Sequence, residues 1–464
     1  MRQTAYRRFR VRYLVCAAAV LGACSRSPAP AARPETAAEA TAVREAFLHA
    51  WNGYVRHAWG RDQLRPLSRS GRDWYGASLL MTPVDAFDTM LLMGLRDEAD
   101  RAKGLILDSL SFDRDIEVQV FEVTIRLLGG LLSAHQMDGD PRFLTLARDL
   151  GDRLLPAFRS ATGMPYRFVH LRTGAVRGAV TNPAEVGTLM LEFGTLSRLT
   201  GDPRYYDIAK RAIAALYARR SAIGLVGSTI HVETGAWVDG DSHVSGGIDS
   251  WYEYLLKSWL LFRDPDFRRM WEESIAAVNR YLPDERPSGW WYGHVGMDDG
   301  ARSATRFGAL DAFLPGVLAL GGDTARAGRL MRSVVRMWTA FGIEPEELDY
   351  VTMTPVSAGY VLRPEAIESA YYLYRLTGDE AYRAMGRVMV DSVLHYCRTP
   401  DAFAALRSVV TKEQRDEMES FFLAETLKYA YLLFAPPETL DLGAVVFNTE
   451  AHPLRRTWDG GGRR

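Results

Sequence analysis

A short junction recurs along the 464-residue chain and constrains its fold more than any other feature. In its full form it reads Gly-Asp-Pro with an aromatic residue two positions after the proline, and apolar residues at helical spacing flank it. Gly takes the left-handed conformation past a helix end, Asp caps the amides of the next helix, and Pro is tolerated in its first turn. Each junction therefore predicts an antiparallel pair of helices. Full or degenerate copies are centred on Asp140, Asp202, Asp264, Asp323 and Asp379, at spacings of 62, 62, 59 and 56 residues.

This period predicts a stack of pairs, each with one inner and one outer helix. Arg96-Asp97-Glu98 resembles an earlier junction, and the helical segment 419–434 could pair with the segment 41–59 to give a seventh pair. Seven pairs can stack as an open solenoid or close into a ring. We expect the ring, because the sequence has no obvious capping repeats. The predicted fold is all-α, a toroid of seven αα-hairpins.

The N-terminus has the pattern of an export signal. Five arginines between positions 2 and 12 precede the apolar run 13–21, which is too short to span a bilayer. The segment ends Leu-Gly-Ala-Cys24, which resembles a bacterial lipobox; an ordinary secretory signal with an incidental cysteine is the alternative. We expect a signal peptide at 1–23, a Pro/Ala-rich tether at 24–40, the helical domain at 41–454 and a flexible tail at 455–464. The prediction is a protein of the bacterial cell envelope, in the periplasm or outer membrane, attached to the membrane through lipidated Cys24.

Composition argues against a nucleic-acid partner and against an internal disulfide. The chain has 56 Lys and Arg residues against 57 Asp and Glu residues, and so lacks the basic balance of a nucleic-acid-binding protein. Past Cys24 only Cys397 remains, which leaves no pair for an internal disulfide. We expect a monomer that binds no nucleic acid and whose core holds without a disulfide.

Five acidic residues precede the junctions at nearly the same phase. Each lies 12 to 18 residues before a junction aspartate, near the start of the helix that leads into it. In a closed ring, residues at the same position of each repeat lie at the same end of the barrel, so these acids, although distant in sequence, would converge there. Their apolar neighbours predict desolvation and pKa values suited to acid/base chemistry, and the alternative is helix-start charges favoured by the macrodipole. The five are Glu122, Glu185, Asp249, Asp311 and Glu365.

Carboxylates, arginine and aromatic rings together are typical of a sugar-binding pocket. Acids and Arg126 can bind hydroxyl groups, and two suitably spaced acids suffice for glycoside hydrolysis. Rings that could stack on a sugar, although each is more often a core residue, are Trp251, Tyr252, Trp290, Trp291 and Phe421.

The chain contains, in order, the motifs Asp62-Gln-Leu-Arg-Pro66, Asp85-Ala-Phe-Asp-Thr89, Val120-Phe-Glu-Val-Thr-Ile-Arg126, Gly247-Ile-Asp-Ser-Trp-Tyr-Glu-Tyr254, Leu362-Arg-Pro-Glu-Ala-Ile-Glu-Ser369, Met418-Glu-Ser-Phe-Phe-Leu-Ala-Glu425 and Phe447-Asn-Thr-Glu-Ala-His-Pro453. At these motifs it closely resembles glycoside hydrolase family 47, the class I α-1,2-mannosidases with their ER-degradation-enhancing mannosidase-like branch. The resemblance covers about residues 42–454. It implies an (α/α)7 barrel plugged by a short C-terminal β-hairpin, whose first strand would be Val445–Phe447.

The resemblance also implies roles for individual residues in an inverting hydrolysis. Glu122 is the expected acid, acting through a water, Glu365 is the expected base, and Asp249 is a third essential carboxylate or the alternative acid. Glu346, in Gly342-Ile-Glu-Pro-Glu346, matches another acid assigned to the site. The positions that match mannose-binding residues are Arg126, Glu185, Arg363, Glu368, Phe421 and Glu425.

A Ca²⁺ ion is the cofactor that the resemblance implies, held by hydroxyl and carbonyl oxygens of Thr449 with Glu450 nearby through water. Oxygen ligands suit a hard cation, and His452 is therefore expected to be structural rather than a zinc ligand. Gly247 stands where some members carry an arginine tied to branch preference, which puts the preferred branch in doubt.

The leading hypothesis is a Ca²⁺-dependent inverting exo-α-1,2-mannosidase acting on a mannose-containing oligosaccharide or N-glycan. One alternative is a lectin-like glycan-binding lipoprotein that keeps the pocket without turnover. Another is an (α/α)-toroid glycosidase that cleaves a different linkage.

Overall fold

The structure is a computed structural model that describes residues 34–456, with side chains from residue 36. The expected signal peptide 1–23, Cys24, tether residues 24–33 and tail residues 457–464 lie outside the described residues. The α-helices of the described part are α1 (Pro34–His57), α2 (Met81–Leu92), α3 (Arg96–Ser109), α4 (Val120–Val123), α5 (Gly129–Asp138), α6 (Pro141–Leu154), α7 (Pro183–Gly187), α8 (Met190–Thr200), α9 (Pro203–Tyr217), α10 (Asp249–Phe262), α11 (Pro265–Tyr281), α12 (Leu314–Leu320), α13 (Thr324–Phe341), α14 (Glu365–Thr377), α15 (Glu380–Tyr396) and α16 (Leu427–Phe434).

Short strands occupy the loops between these helices. They are β1 (Gln63–Arg65), β2 (Ser70–Arg72), β3 (Glu117–Gln119), β4 (Phe168–His170), β5 (Val176–Arg177), β6 (Val180–Thr181), β7 (Thr229–His231), β8 (Trp237–Asp239), β9 (Asp241–Ser242), β10 (Pro283–Arg286), β11 (Gly289–Tyr292), β12 (His294–Gly296), β13 (Arg302–Ala304), β14 (Arg306–Gly308), β15 (Glu347–Asp349), β16 (Thr354–Ser357), β17 (Ala405–Leu406), β18 (Gln414–Arg415), β19 (Val445–Phe447) and β20 (Pro453–Arg455).

The five junctions centred on aspartates form as predicted, whereas at the earlier one α3 begins at Arg96 without a side-chain cap and Asp97 lies within its first turn. Each junction aspartate accepts a hydrogen bond through its side chain from an amide two or three residues further on, as Asp140 does from Arg142. Gly139, with φ of 88°, shows the expected left-handed cap. The third junction lacks glycine, and Arg263 adopts the left-handed conformation instead, with φ of 58°. A side chain at this φ costs about 1–2 kcal/mol, so the local hydrogen bonding and packing impose it.

The helix pairs close into a ring, which confirms the toroid and not the open solenoid. The inner helices α2, α5, α8, α10, α12, α14 and α16 contact one another in that order, and the π-helical turn Phe422–Thr426 before α16 returns to α2. Each inner helix packs most extensively against its partner outer helix, and α1 packs against α16 as the seventh pair. Inner helices are buried on most sides, whereas outer helices such as α6 and α9 bury a single apolar face.

The two ends of the ring differ. At one end the capped junctions make short turns from an inner helix to its outer partner. At the other end longer loops run from each outer helix to the next inner helix, and these carry most of the strands, paired antiparallel in two- and three-stranded sheets. The all-α prediction therefore describes the ring, and the small sheets of the long loops were not predicted, because two- to four-residue strands leave almost no alternating pattern in a sequence.

The two ends of the described chain also meet the ring. Val445–Phe447 forms strand β19, which pairs antiparallel with β20. Asn448 and His452, in the loop between these strands, are fully buried. Helix α1 begins at Pro34, inside the stretch expected to be tether, and Ala40 and Val43 are already buried in its contact with the barrel. Among residues 34–456 no helix is both long and apolar enough to cross a membrane. Cys397 is buried and free.

Candidate active site

A cavity of about 270 Å³ opens at the long-loop end of the ring, where the inner helices begin. Eleven of the twelve residues to which the resemblance assigns a role line it. Of the five acids that share a phase of the repeat, all but Asp311 line it, so four of them converge as inferred. Its lining comprises Gln119, Phe121, Glu122, Ile125, Arg126, Asn182, Ala184, Glu185, Gly246, Gly247, Asp249, Ser250, Glu253, Leu310, Phe313, Arg363, Glu365, Glu368, Phe421, Glu425, Thr449 and Glu450.

Arg126 organises one wall of the cavity. It lies in a π-helical turn, Thr124–Leu128, that follows α4, and its Nε donates to Glu122 Oε2 at 2.9 Å. Its Nη1 donates to Glu450, and its guanidinium lies 5.0 Å and 5.6 Å from the ring centroids of Trp74 and Phe421. Because π-turns place a helical residue out of its regular register, this turn directs Arg126 and Glu122 into the cavity together.

Arg363 is held in a similar way, and its guanidinium, like that of Arg126, lies 5.6 Å from the Phe421 ring centroid. Its Nε and Nη2 donate to Glu346 Oε2 at 3.1 Å and 2.9 Å, and the Val361 amide donates to the other carboxylate oxygen at 3.0 Å. Glu346 is the one predicted site residue that does not line the cavity. The structure places it as the carboxylate that orients Arg363, just behind the wall.

Glu185 is fixed by a set of donors that the sequence did not reveal. Arg167 donates to both of its carboxylate oxygens, at 2.7 Å and 2.8 Å, and the amide nitrogen of Gln119 and the hydroxyl of Thr181 donate to it as well. Glu185 remains 7% exposed at the cavity surface. Arg167 precedes β4 in a long loop, a position with no motif or periodicity that could have marked it.

Two of the predicted catalytic acids are strongly perturbed. Burial, reinforced by neighbouring Glu253 and Asp311, raises the pKa of Asp249 to about 7. Burial also raises the pKa of Glu365 to about 8, although Arg363 opposes the shift. Asp311 itself does not line the cavity. It is buried behind Asp249 and accepts a hydrogen bond from the Gly308 amide.

The loop between β19 and β20 forms the floor of the cavity. The Asn448 side chain donates to the Ile125 carbonyl and to Glu192 and accepts from the amides of Glu450 and His452. This network holds Thr449 where it lines the cavity, while its amide donates to the Tyr254 hydroxyl at 3.2 Å.

His452 lies between two buried aspartates on α2. Its Nδ1 is 2.7 Å from Asp88 Oδ2 and its Nε2 is 3.3 Å from Asp85 Oδ1. Burial alone would lower the pKa of His452, but Asp88 and Asp85 outweigh it and raise the pKa to about 9. Both ring nitrogens are therefore engaged, in agreement with the structural role predicted for this histidine.

The charge balance of the cavity favours a bound cation. Its lining holds eight acidic residues and two arginines. Burial raises the pKa of Glu368 to about 7 and that of Glu450 to about 8, while burial and neighbouring Glu450 raise the pKa of Glu425 well above its usual range. All of these donors, including the Thr449 hydroxyl, are oxygens, which suits Ca²⁺ better than a nitrogen- or sulfur-preferring metal. The residues present thus fit the implied ion.

The aromatic candidates divide between core and cavity. Trp251, Tyr252 and Trp291 are at most 1% exposed and belong to the core, and Trp290 packs under the Arg329 guanidinium. Phe421 lines the cavity, as do Phe121 and Phe313, which were not predicted. Phe121 adjoins Glu122 in sequence and Phe313 lies two residues after Asp311, so only their proximity to these acids could have marked them.

A toroid of αα-hairpins around a cavity of convergent carboxylates, arginines and aromatic rings is the architecture of a carbohydrate-active enzyme. The family model for glycosyl hydrolase family 47 matches residues 46–456. The chain belongs to this family and is a glycoside hydrolase, as the resemblance implied.

Similar proteins include both branches of the family. The chain is 38% identical over 443 residues to alpha-mannosidase I MNS5 of Arabidopsis thaliana, covering 89% of this chain and 76% of that protein. It is 39% identical over 456 residues to the human ER degradation-enhancing alpha-mannosidase-like protein 2, covering 91% and 78%. The solved alpha-1,2-mannosidase from Trichoderma reesei superposes with a TM-score of 0.83 at 28% identity, covering 90% of this chain and 99% of that one.

Proposed function

We propose that the protein is a Ca²⁺-dependent, inverting exo-α-1,2-mannosidase that removes terminal α-1,2-linked mannose from high-mannose-type glycans. The observation that carries the proposal is the convergence of Glu122, Asp249 and Glu365 on one cavity whose floor is the Thr449 loop. The linkage is supported by the superposition of this chain on the alpha-1,2-mannosidase from Trichoderma reesei, which covers 99% of that chain. A cavity closed on the floor side suits an enzyme that takes a chain end rather than the middle of a polymer.

In this proposal Glu365 is the base that takes a proton from the attacking water. Glu122, acting through a water, is the acid that protonates the leaving oxygen, and Asp249 is the alternative acid. The raised pKa of Asp249 makes it competent as the alternative acid, because a carboxyl with a pKa of about 7 still holds its proton near neutral pH. Arg126 and Arg363, held by Glu122 and Glu346, orient sugar hydroxyls together with Glu185 and Glu368.

Thr449 and the acids around it would hold the Ca²⁺ ion. When bound, the ion supplies positive charge that favours ionised carboxylates and offers coordination sites to substrate hydroxyls. Without a cation, the pKa of about 8 would leave Glu365 largely protonated at neutral pH and unable to act as a base. Removal of metal by EDTA should therefore abolish activity, and Ca²⁺ should restore it. Better restoration by Zn²⁺ would contradict an oxygen-ligand site.

The deciding experiment is digestion of a high-mannose glycan, with proton NMR of the sugar at early times. We expect β-mannose to appear first, because attack of water from the opposite face inverts an α-linkage. Release of α-mannose would contradict inversion, and cleavage of α-1,3 or α-1,6 linkages in preference to α-1,2 would favour a toroid glycosidase of another linkage. Binding without any release in the presence of Ca²⁺ would favour the lectin-like alternative.

The two candidate acids can be separated with an activated substrate. An aryl mannoside has a good leaving group and needs little protonation, so a variant that lacks the true acid retains activity on it. We expect Glu122→Gln to lose far more activity on mannobiose than on the aryl mannoside. If Asp249→Asn shows this pattern and Glu122→Gln does not, Asp249 is the acid.

We further propose that the enzyme acts in the bacterial cell envelope as a monomer, attached through a lipid on Cys24. The basis is the N-terminal sequence alone. Metabolic labelling with an alkyne fatty acid tests it, with Cys24→Ser as the variant that should lose the label. Incorporation that is unchanged in this variant would contradict the anchor.

A further inference from the structure

A second cluster of chemically capable side chains lies on the rim of the cavity, outside the mannosidase machinery. It consists of Asp241 in β9, His243 directly after β9, and His294 in the neighbouring strand β12. One potential ligand atom from each residue lies within 4.8 Å of those from the other two. The backbone pairing of β9 with β12 brings the three together, and nothing in the mechanism above uses them.

The hydrogen bonds of the cluster prepare His294 to act as a ligand. Its Nδ1 is 2.7 Å from Asp241 Oδ2, and Ser303 donates to the other oxygen of that carboxylate at 2.6 Å. Its Nε2 is buried and has no hydrogen-bond partner among the described residues. A histidine whose Nδ1 proton is held by a carboxylate presents the Nε2 lone pair, which is the usual arrangement of a metal-binding histidine and its supporting acid.

The second imidazole lies against the first. The ring centroids of His243 and His294 are 4.4 Å apart with planes 25° from parallel, and His243 is 7% exposed. Coordination through His243 Nδ1 would replace the hydrogen bond that this atom accepts from the Ser245 amide at 3.1 Å. Tetrahedral coordination with metal–nitrogen bonds of about 2.1 Å would require the ligand atoms to approach by roughly 1 Å.

We propose that Asp241, His243 and His294 form a binding site for a divalent transition metal such as Zn²⁺, with the two histidines as nitrogen ligands and Asp241 as the carboxylate of the site. Imidazole ligands favour such metals over Ca²⁺, so the site is chemically distinct from the oxygen-lined cavity. Its occupant would fasten β9 to β12.

The position of the site connects it to the mouth of the barrel. The Ser245 amide donates to His243 Nδ1 at 3.1 Å, and the Ser245 carbonyl accepts from the Asp249 amide at 3.0 Å. Gly246 and Gly247, which line the cavity, lie between these contacts. A metal bound by His243 Nδ1 would displace the Ser245 amide and so act on the segment that leads into Asp249.

The test is titration of the full chain with Co²⁺ in saturating Ca²⁺, followed by visible absorption spectroscopy. We expect one equivalent of Co²⁺ to give d–d bands of a four- or five-coordinate site, and Zn²⁺ to displace it. His294→Ala and His243→Ala should abolish the bands, and Asp241→Asn should weaken binding by roughly 10- to 100-fold. His231→Ala, in the adjacent sheet at β7, is the matched control and should bind normally.

Two results would overturn the site: no bands with the wild-type protein, or bands that persist in both histidine variants. Thermal unfolding of each variant in Ca²⁺ alone shows whether it is folded, and His294→Gln provides a more conservative change. The readout is independent of turnover, so failure here leaves the mannosidase proposal intact, and loss of mannosidase activity would not by itself remove the metal site.

Discussion

Replacement of the proposed base by its neutral isostere should make the metal-free protein more stable while it removes most activity. The Glu365 carboxyl has an ordinary pKa of 4.5 and a pKa of about 8 in the folded chain. An acid with a raised folded-state pKa destabilises the fold as pH rises above its unfolded pKa, and the penalty grows until the folded pKa is reached. This penalty on the free energy of unfolding amounts to about 3 kcal/mol at pH 7 and to less than about 1 kcal/mol at pH 5.

Glu365→Gln removes this penalty because the amide does not ionise. We expect its free energy of unfolding in EDTA to exceed that of the wild type by up to about 3 kcal/mol at pH 7, and by little at pH 5. With Ca²⁺ present the gain should shrink, because a bound cation compensates the ionised carboxylate. Loss of a general base should lower kcat by roughly 10²- to 10⁴-fold, with substrate binding largely retained.

The assay is urea unfolding followed by far-UV circular dichroism at both pH values, with and without EDTA. Glu285→Gln is the control, since the Glu285 side chain in β10 is 74% exposed and should show no pH-dependent gain. A gain of equal size at pH 5 and pH 7 would show that packing, and not ionisation, is responsible. A loss of stability at pH 7 in EDTA, or near-normal turnover, would refute the reasoning.

Three further predictions concern positioning and local strain. Arg263→Gly should raise the free energy of unfolding by about 1 kcal/mol, and with it the thermal midpoint, because glycine relieves the left-handed backbone at the α10 cap. An unchanged or lower midpoint would show that the arginine contacts outweigh the strain. Asn448→Ala should raise the Ca²⁺ concentration needed for half-maximal activity by at least tenfold, since four hydrogen bonds that hold the Thr449 loop are lost; an unchanged Ca²⁺ requirement would separate the loop from the metal. Arg167→Ala should raise KM roughly tenfold with little change in kcat, because it frees Glu185 from its bidentate partner; a fall in kcat alone would contradict a binding role.

The sequence was sufficient for the helix pairs and for the end of the stack at which the acids converge. Both follow from local chemistry, because a capped junction such as Gly-Asp-Pro at 139–141 defines a helix pair wherever it occurs. The regular spacing then places Glu122 and Glu365 at one end without knowledge of any long-range contact. The local junctions do not distinguish an open solenoid from a closed ring. That distinction depends on the contact of α1 with α16, which in turn depends on the summed curvature of all seven pairs.

Features that depend on long-range pairing had no local signal. The π-turns Thr124–Leu128 and Phe422–Thr426 occur within ordinary helical patterns, although they decide how Arg126 and Glu425 face the cavity. Arg167 reaches Glu185 only because β4 pairs with β3 beside α4. The role of Glu346 as the partner of Arg363, rather than as a group at the cavity surface, likewise depends on the path of the loop after α13.

The phase of the repeat indicates where the carboxylates lie but not which of them are ionised, and ionisation decides the chemistry. Eight acids with two arginines cannot all carry charge in a buried cavity without a further cation. Burial first, and neighbouring carboxylates second, raise the pKa of Asp249 to about 7 and that of Glu365 to about 8. An inverting enzyme needs one protonated and one ionised carboxyl at the same pH, so any cation in the cavity must lower the pKa of Glu365 more than that of its acid. If the proposed ion does so, the acid limb of the pH–rate profile should move to lower pH as Ca²⁺ is increased, whereas an ion that only holds the fold together would change the amplitude of the profile and leave its limbs in place.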